Sequence, residues 1–334
     1  MTSTRPIDGA IGAARHGARL GVLDIGSNTV HLLIVDVRLG GRPIPQRSHK
    51  RTLRLMRYLQ DDGSISDEGV DALLAAIGEC AAIARSEQLD DFVVMATSAL
   101  REAANGEEVV ARIEREAQVT LDILSGADEA RLTFLAVRRW FGWSAGRILL
   151  LDIGGGSLEI ACGMDEEPDV AISVPLGAGR STVGFFHADP PSAADQRALR
   201  IYAKAVLDDA VAQVKPFGRP DHVIGSSKTI RSLARLAGNL LPGVGDADRA
   251  VLTRAQLDDW VPRLARMDAK SRAALPGITP DRTFQIVAGG IVLSEAMRAF
   301  GVRELDVSPG RSARAACCRC STASDVPRQP PRRR

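Results

Sequence analysis

The feature that most constrains this chain is a glycine-rich hairpin near its middle. Residues Ile148–Leu151 are all apolar, which predicts a strand that is buried on both faces. Asp152 ends that strand and glycines follow at 154–156, so the turn has no Cβ atoms and its N–H groups can approach a ligand closely. A concave row of N–H groups suits a phosphate, and Ser157 could add a hydroxyl.

A second carboxylate follows this turn. Glu159 lies two positions after Ser157, so the alternation along a strand directs both side chains to the same sheet face. Carboxylates at both ends of an anion-binding turn need a bridging cation, and Mg²⁺ prefers such oxygen ligands. The alternative is a tight hairpin whose glycines only satisfy the geometry of the turn.

The same pattern occurs again near the N-terminus. The run Asp24-Ile25-Gly26-Ser27-Asn28 aligns without gaps with Asp152-Ile153-Gly154-Gly155-Gly156, and apolar strands flank each run. Each half of the chain reads in the order β-β-β-α-β-α. We therefore predict an α/β fold with two similar lobes, each of which offers a phosphate loop and a carboxylate to a shared cleft.

Three further residues are candidates because of their positions. Arg101 follows an apolar strand at 92–97 and could clamp a phosphate, or it could be a surface arginine at a helix start. Glu129 follows a capping box at 125–128 and could take a proton from water, whereas the alternative is a surface Glu favoured by the helix macrodipole. Lys228 lies at a predicted helix N-terminus that could hold an anion.

Basic side chains are concentrated just before the first predicted helix. They are Arg47, His49, Lys50, Arg51, Arg54 and Arg57, around a predicted third strand at 50–59. This segment is either a solvated edge strand, which charge protects from pairing, or a basic strip that guides a long polyanion into the cleft.

Composition limits the possible partners of the chain. It has 334 residues with 45% hydrophobic content, which can form a sizeable core and favours two domains. A net charge of +2 does not call for nucleic acid as a partner. The sequence shows neither a signal-peptide core nor an apolar run that could span a bilayer, so we expect a cytoplasmic protein without a membrane partner.

Several motifs occur together in the order of one known family. They are the two hairpins, Thr97-Ser98-Ala99-Leu100-Arg101, Ser125-Gly126-x-x-Glu129-Ala130-Arg131-Leu132 and Gly225-Ser226-Ser227-Lys228-Thr229. Over roughly residues 20–309 the chain resembles the exopolyphosphatase/guanosine pentaphosphate phosphohydrolase (Ppx/GppA) family, and within it the short, two-domain exopolyphosphatases of actinobacterial type. The resemblance implies the two-lobed actin-like, Hsp70-like and sugar-kinase-like ATPase fold, with duplicated ribonuclease H-like lobes and a central cleft. It also implies Mg²⁺-dependent release of terminal orthophosphate from inorganic polyphosphate.

The same resemblance implies a role for each matching residue. Glu129 would be the base that activates water, with Asp152 as its catalytic partner. Asp152, Glu159 and the pseudo-symmetric Asp24 would hold the metal ion. The residues implied to bind phosphate are Ser27, Asn28, Thr29, Arg101, Gly154, Gly155, Gly156 and Ser157. Lys228 stands where the family commonly has glycine, and it would either add a positive contact to phosphate or cap a helix.

These expectations divide the chain into four parts. They are a flexible leader at 1–18, lobe I at 19–125 with a return segment at about 303–310, lobe II at 126–302, and a tail at 311–334. The tail is rich in Arg, Ala, Cys, Ser and Pro without apolar periodicity, which predicts disorder.

Other functions remain open at this point. The same site could remove the 5′ γ-phosphate of guanosine pentaphosphate, and guanosine alarmones could act as substrates or inhibitors. An ATP-dependent enzyme of the same fold is a second possibility, since Gly289-Gly290 faintly resembles an adenosine-contact glycine pair. A third is a sensor that binds polyphosphate or alarmones without turnover. The family also makes a homodimer plausible.

Overall fold

Two β-sheets, one in each half of the chain, organise the molecule. The structure is a computed structural model that describes residues 17–37, 44–238 and 250–308. Within these residues the strands form a five-stranded and a six-stranded sheet. Residues 1–16 of the predicted leader and the predicted tail at 311–334 lie outside the described residues.

The first sheet has the strand order β3-β2-β1-β4-β5. Strand β1 pairs with β2 as an antiparallel hairpin and with β4 in parallel, as expected for apolar strands joined by a glycine turn and by a helical crossover. Its elements are β1 (Ala18–Ile25), β2 (Thr29–Val37), β3 (Ile44–Thr52), α1 (Asp67–Ser86), β4 (Asp91–Ala96), α2 (Ser98–Arg101), α3 (Gly106–Ala117) and β5 (Leu121–Ile123).

The second sheet has the strand order β10-β11-β9-β6-β7-β8. Helix α4 packs on β6, β7 and β8, so it belongs to this half of the molecule. The elements are α4 (Gly126–Phe141), β6 (Ile148–Ile153), β7 (Leu158–Gly163), β8 (Val170–Val174), α5 (Ala178–Phe185), α6 (Ala193–Val214), β9 (His222–Ser226), α7 (Lys228–Leu236), β10 (Ala250–Thr253), α8 (Arg254–Leu264), α9 (Ala269–Ala273), α10 (Ile286–Ala299) and β11 (Glu304–Val307).

The two sheets repeat one topology. The order β3-β2-β1-β4-β5 corresponds strand by strand to β8-β7-β6-β9-β11, with two antiparallel pairs followed by two parallel pairs in each. The duplication predicted from the two hairpins therefore extends over five strands. Each lobe also has its own apolar core beneath its sheet.

Two sequence-based predictions about strands are wrong. The return segment at about 303–310 was expected in lobe I, but β11 joins the second sheet, where it pairs in parallel with β9 and antiparallel with β10. In the second sheet β11 takes the position beside β9 that β5 takes beside β4 in the first sheet, so it completes the repeated five-strand topology. The third strand was expected at 50–59 but spans Ile44–Thr52, and the chain then enters a short 3₁₀ turn at Leu55–Arg57.

Helix α10 lies in the centre of lobe II and packs against α5, α6, α7 and α8. A Cβ at Gly289 would overlap the Thr229 side chain, and a Cβ at Gly290 would come within 2.8 Å of Val261. The two glycines thus allow neighbouring helices to pack closely against α10, and this packing explains their presence without an adenosine ligand. Among the described residues, no helix has the length and hydropathy that crossing a bilayer requires.

Candidate active site

The two hairpin turns meet at the cleft between the lobes. In each turn the first glycine closes the loop in the same way: the Gly26 amide donates to the Thr29 carbonyl at 3.0 Å, and the Gly154 amide donates to the Ser157 carbonyl at 2.9 Å. A Cβ at Gly155 would overlap the Ser27 hydroxyl and the Asn28 amide. The turn of lobe II therefore lies directly against that of lobe I, and glycine is needed for this contact.

The cleft contains polar and charged side chains from both lobes. Lobe I contributes Asp24, Gly26, Ser27, Asn28, Thr29, His31, Lys50, Thr97 and Ser98, and lobe II contributes Glu129, Thr133, Asp152, Ile153, Gly154, Gly155, Ser157, Glu159, Ser226, Ser227, Lys228, Arg231 and Arg282. Most of the predicted site residues are thus brought together in one place.

Two predicted phosphate-binding residues do not line the cleft. The Arg101 Nη1 donates to the Leu124 carbonyl at 2.7 Å, and the same atom lies 3.6 Å from the Glu129 carboxylate. The Gly156 carbonyl accepts a hydrogen bond from Arg180 Nε at 2.9 Å, and a Cβ at Gly156 would contact Ser98. Gly156 is part of the turn that Arg180 supports, and phosphate binding by Arg101 and Gly156 stays a prediction.

Glu129 has a buried carboxylate oxygen without a hydrogen bond among the described residues. It lies in the first turn of α4, which begins after Ser125, whose hydroxyl accepts a hydrogen bond from the Asp128 amide. Its side chain is 17% exposed, and its Oε2 has no hydrogen-bond partner among the described residues, although Arg101 Nη1 lies 3.6 Å away. Burial, and next the negative charge of Glu159, raise the pKa of Glu129 well above its usual range.

Asp152 and Glu159 face each other across the β6–β7 hairpin. Burial and the charge of Glu159 raise the pKa of Asp152 well above its usual range, against the attraction of Arg231 and a hydrogen bond from Ser226. Burial also raises the pKa of Glu159 to about 7, although the hydroxyls of Ser157 and Ser173 donate to it. The negative charge of Asp24 raises the pKa values of Glu129 and Asp152 as well.

The predicted three-carboxylate metal site is not formed as such. In the part of the chain that the structure describes, no three His, Cys, Asp or Glu side chains are grouped so that they could hold a metal ion. Asp24 ends a strand of the first sheet, while Asp152 and Glu159 lie in the second. The donor set is nevertheless all oxygen, and Mg²⁺ is usually held by one or two carboxylates together with substrate phosphates. Asp152 and Glu159 therefore fit this ion as a pair.

Basic side chains of both lobes, among them Lys50 and Lys228, line one part of the cleft. Lys228 begins α7, and burial together with the neighbouring Lys50 lowers its pKa to about 7. Lys50 belongs to the edge strand β3, where Arg47 pairs with Glu87 at 2.7 Å and Arg51 with Glu79 at 3.3 Å. Those two arginines form ion pairs along the edge strand, whereas the Lys50 side chain lines the cleft.

Several cleft residues were not predicted. Thr133 lies one turn after Glu129, and its hydroxyl donates to the Glu129 carbonyl at 3.0 Å, so helical spacing could have indicated it. His31 pairs with Asp24 in the first hairpin, and the strand register could have indicated it. Arg231 and Arg282 reach the cleft through tertiary packing of lobe II, for which the sequence has no local signal.

A two-lobed, actin-like α/β fold whose cleft combines two glycine turns with carboxylates and basic side chains defines a class of enzymes that act on phosphate groups. The model of the Ppx/GppA phosphatase family matches residues 33–312. The chain belongs to the Ppx/GppA phosphatase family.

Named relatives and solved structures agree with this family. The chain is 48% identical to Exopolyphosphatase 1 of Mycobacterium leprae over 291 residues, which is 87% of this chain and 86% of that protein. A crystal structure of an exopolyphosphatase from Cytophaga hutchinsonii matches with a TM-score of 0.79 and 25% identity, over 92% of this chain and 98% of the other. A Ppx/GppA protein from Aquifex aeolicus, with a TM-score of 0.76 and 23% identity, shares the fold over 93% and 100% of the two chains.

Proposed function

We propose that this protein is an exopolyphosphatase that releases the terminal orthophosphate of inorganic polyphosphate with the help of Mg²⁺. The observation that carries the proposal is the Glu129 carboxylate, which faces the cleft beside two phosphate loops with Oε2 unpartnered among the described residues. The 48% identity to a protein named Exopolyphosphatase 1 supports the same substrate.

In this proposal Glu129 takes the proton of the attacking water. The water oxygen forms a bond to the terminal phosphorus, and the phosphoanhydride bond breaks on the opposite side. The shortened chain leaves with the electron pair of that bond. A raised pKa makes Glu129 a stronger base once it is ionised, and Arg101 at 3.6 Å favours the ionised form.

The remaining polar groups position the phosphate and balance charge. The turns at Gly26–Thr29 and Gly154–Ser157 offer N–H and hydroxyl groups to the terminal phosphate. Asp152 and Glu159 would hold Mg²⁺, which supplies positive charge to the phosphate oxygens when it is bound. Burial first, and then mutual repulsion, raise the pKa values of Glu129 and Asp152, and a bound cation would offset that repulsion.

The experiment is orthophosphate release from short and long polyphosphate, guanosine pentaphosphate and ATP, with Mg²⁺ or with EDTA. We expect polyphosphate to be the best substrate, EDTA to abolish release, and Glu129→Gln to lower kcat by about 10²- to 10⁴-fold. Glu304→Gln, on the exposed face of β11, is the matched control.

Each other outcome would contradict a definite part of the proposal. Faster release from guanosine pentaphosphate would make the protein a pentaphosphate phosphohydrolase, and faster release from ATP would make it an ATPase. Full activity of Glu129→Gln would place the base elsewhere. Binding without release would indicate a sensor. The homodimer, the action of guanosine alarmones and the cytoplasmic location stay predictions.

A further inference from the structure

A row of four charged side chains crosses from one lobe to the other beside the cleft. In order, these side chains are Arg180, Glu102, Arg101 and Glu129. Arg101 and Glu102 stand at the end of α2 in lobe I, whereas Arg180 belongs to α5 and Glu129 to α4 in lobe II. Positive and negative charges alternate along this row, and Glu102 is the member that links the two arginines.

Each carboxylate oxygen of Glu102 accepts a hydrogen bond from a different arginine. Arg101 Nη2 donates to Oε1 at 3.3 Å, and Arg180 Nη2 donates to Oε2. The Glu102 amide also donates to the Ser98 carbonyl at 3.0 Å, which fixes the backbone at the end of α2. The Glu102 carboxylate is therefore held by both lobes.

Arg180 connects this carboxylate to the phosphate turn of lobe II. The Arg180 Nε donates to the Gly156 carbonyl at 2.9 Å, and the Arg180 amide donates to the Gly155 carbonyl at 2.9 Å. The position of Glu102 is consequently tied to the position of the turn that would hold the terminal phosphate.

Two hydrogen bonds keep the Arg101 guanidinium at a distance from Glu129. Its Nη1 donates to the Leu124 carbonyl at 2.7 Å, and its Nη2 donates to Glu102. The Nη1 atom lies 3.6 Å from the Glu129 Oε2, which is too long for a hydrogen bond, and this buried oxygen has no hydrogen-bond partner among the described residues. Arg101 thus places positive charge beside the candidate base without occupying the oxygen that would accept a proton.

An arginine released from Glu102 would contact Glu129 directly. A guanidinium and a buried carboxylate that are this close form a strong charge-assisted hydrogen bond when no other partner holds the donor. That bond would occupy the Glu129 Oε2, and a carboxylate oxygen stabilised in this way is a weaker proton acceptor.

We propose that Glu102 is a positioning residue for hydrolysis: it holds Arg101 where its charge stabilises ionised Glu129 while Oε2 stays free to accept a proton from water. The inference rests on the proposed function, in which Glu129 is the base. Glu102 acts through Arg101 and not on the substrate, because it is not among the described residues that line the cleft.

The first test is the kinetics of orthophosphate release from tripolyphosphate, with Mg²⁺, by wild type and Glu102→Gln. We expect Glu102→Gln to lower kcat about tenfold and to change KM less than about threefold, since the phosphate contacts remain. Glu102 is 33% exposed, and an ion pair at such a position contributes little to stability, so Tm should change by about 2 °C or less. Glu102→Asp keeps the negative charge and should stay within about threefold of the wild-type kcat.

The second test is whether the effect passes through Glu129. In the Glu129→Gln background, Glu102→Gln should lower kcat by no more than about twofold further, because the base that it positions is already absent. Glu166→Gln is the matched control: it breaks the ion pair of Glu166 with Arg139 at 2.8 Å, its side chain is 39% exposed, and it should leave kcat unchanged.

Several kinetic outcomes would overturn the inference. They are a wild-type kcat in Glu102→Gln, a full tenfold further loss in the Glu129→Gln background, and a loss in Glu102→Asp as large as that in Glu102→Gln. A fall in Tm of several degrees in Glu102→Gln would also overturn it, since that would indicate a structural ion pair.

Crystal structures of wild type and Glu102→Gln give a readout that needs no turnover. We expect the distance from Arg101 to the Glu129 carboxylate to shorten from 3.6 Å to about 2.9 Å in the variant. An unchanged distance would overturn the inference. Wild-type protein that releases no orthophosphate from tripolyphosphate, together with the shortened distance in the variant, would refute the proposed function and leave the restraint of Arg101 by Glu102 standing.

Discussion

At Gly155 the turn of one lobe lies directly against the turn of the other. In Gly155→Ala the new methyl group would overlap the Ser27 hydroxyl and the Asn28 amide, which would push the two phosphate loops apart. Since phosphoryl transfer depends on positioning, we expect polyphosphate hydrolysis to fall at least about tenfold. Orthophosphate release is the measurement.

Gly78→Ala is the matched control for this change. Gly78 lies within α1, and a Cβ there would have no neighbour within 4 Å. We expect full activity and a gain of about 1 kcal/mol in unfolding free energy, because alanine favours the helix. Equal activity of both alanine variants would show that contact at Gly155 does not position the loops.

Glu159 makes stability depend on pH. Its pKa is raised to about 7 in the folded protein, so the folded state holds a proton that the unfolded state has released. The stabilisation is therefore fully present below the unfolded pKa of about 4.3 and is lost as pH rises through about 7. In EDTA, we expect the unfolding free energy to fall across this range by about 1–3 kcal/mol more in wild type than in Glu159→Gln.

Chemical denaturation at pH 5, 6, 7 and 8 measures this difference. Glu304→Gln, at an exposed position of β11, should follow the wild-type curve. Parallel curves for wild type and Glu159→Gln would mean that Glu159 is ionised throughout, and that the hydroxyls of Ser157 and Ser173 outweigh its burial.

Single residues were predictable where local sequence determines their position. The alignment of the two hairpins placed Asp24 and Asp152 at strand ends, and both lie in the cleft. Arg101 was predicted at the end of a strand, but it is the last residue of helix α2, which follows β4. The Leu124 carbonyl binds its guanidinium, and no local pattern signals that hydrogen bond. Lys50 could be recognised as basic, while its contact with Lys228 depends on how the lobes pack.

At the scale of elements, apolar runs predicted strands well and polar runs did not. Strands β6 and β7 are almost fully buried, so their apolar sequences mark them clearly. Strand β3 is mostly exposed and contains almost no apolar residue, so its bounds depend on pairing with β2. That is why the predicted strand at 50–59 was displaced from the observed Ile44–Thr52.

Helix α10 supplies a prediction about packing. In Gly289→Ala the new Cβ would overlap the Thr229 side chain of α7 and contact Ala178 of α5. Overpacking of this kind costs typically about 1–3 kcal/mol of unfolding free energy, which denaturant unfolding measures. We expect no selective loss of ATP binding, because the glycines serve helix packing.

Gly184→Ala is the control, since a Cβ at this position of α5 would meet nothing within 4 Å. Stability of Gly289→Ala equal to wild type would contradict tight packing between α10 and α7. If wild type bound ATP strongly and Gly289→Ala did not, the glycine pair would be an adenosine contact after all.

At the scale of the molecule, contacts outside the cleft also join the lobes. The guanidinium of Arg57 lies 4.5 Å from the centroid of the Phe284 ring, and Arg54 donates to the Pro280 carbonyl. The two lobes should therefore unfold in one transition. Tripolyphosphate at about 100 times its Kd should raise Tm by roughly 5 °C, because the cleft that would bind it is lined by both lobes and exists only in the folded state.

Differential scanning calorimetry with tripolyphosphate and with orthophosphate tests this expectation. Lys50→Met, which removes a positive charge from the cleft, should reduce the shift with tripolyphosphate. Lys204→Met, at an exposed position of α6, is the control and should keep it. Two separate transitions, of which tripolyphosphate moves only one, would contradict unfolding of both lobes as one unit.

The two-lobed α/β architecture was predictable from the repeated hairpin, and the fold of solved family members confirms it. The sheet to which β11 belongs was not predictable. Its four residues carry no signal that distinguishes pairing with β9 from pairing in lobe I. That choice depends on α10, which leads the chain into lobe II immediately before the strand.

The place of β11 has a consequence for synthesis on the ribosome. All strands of the first sheet are made by residue 123, so lobe I can complete its sheet while the rest is being translated. In lobe II, β11 lies between β9 and β10 and is the last strand described along the chain, so these two strands cannot complete their pairing until β11 has been synthesised. Until it emerges, both nascent strands present an unpaired edge, so the growing polypeptide is most exposed to aggregation late in translation.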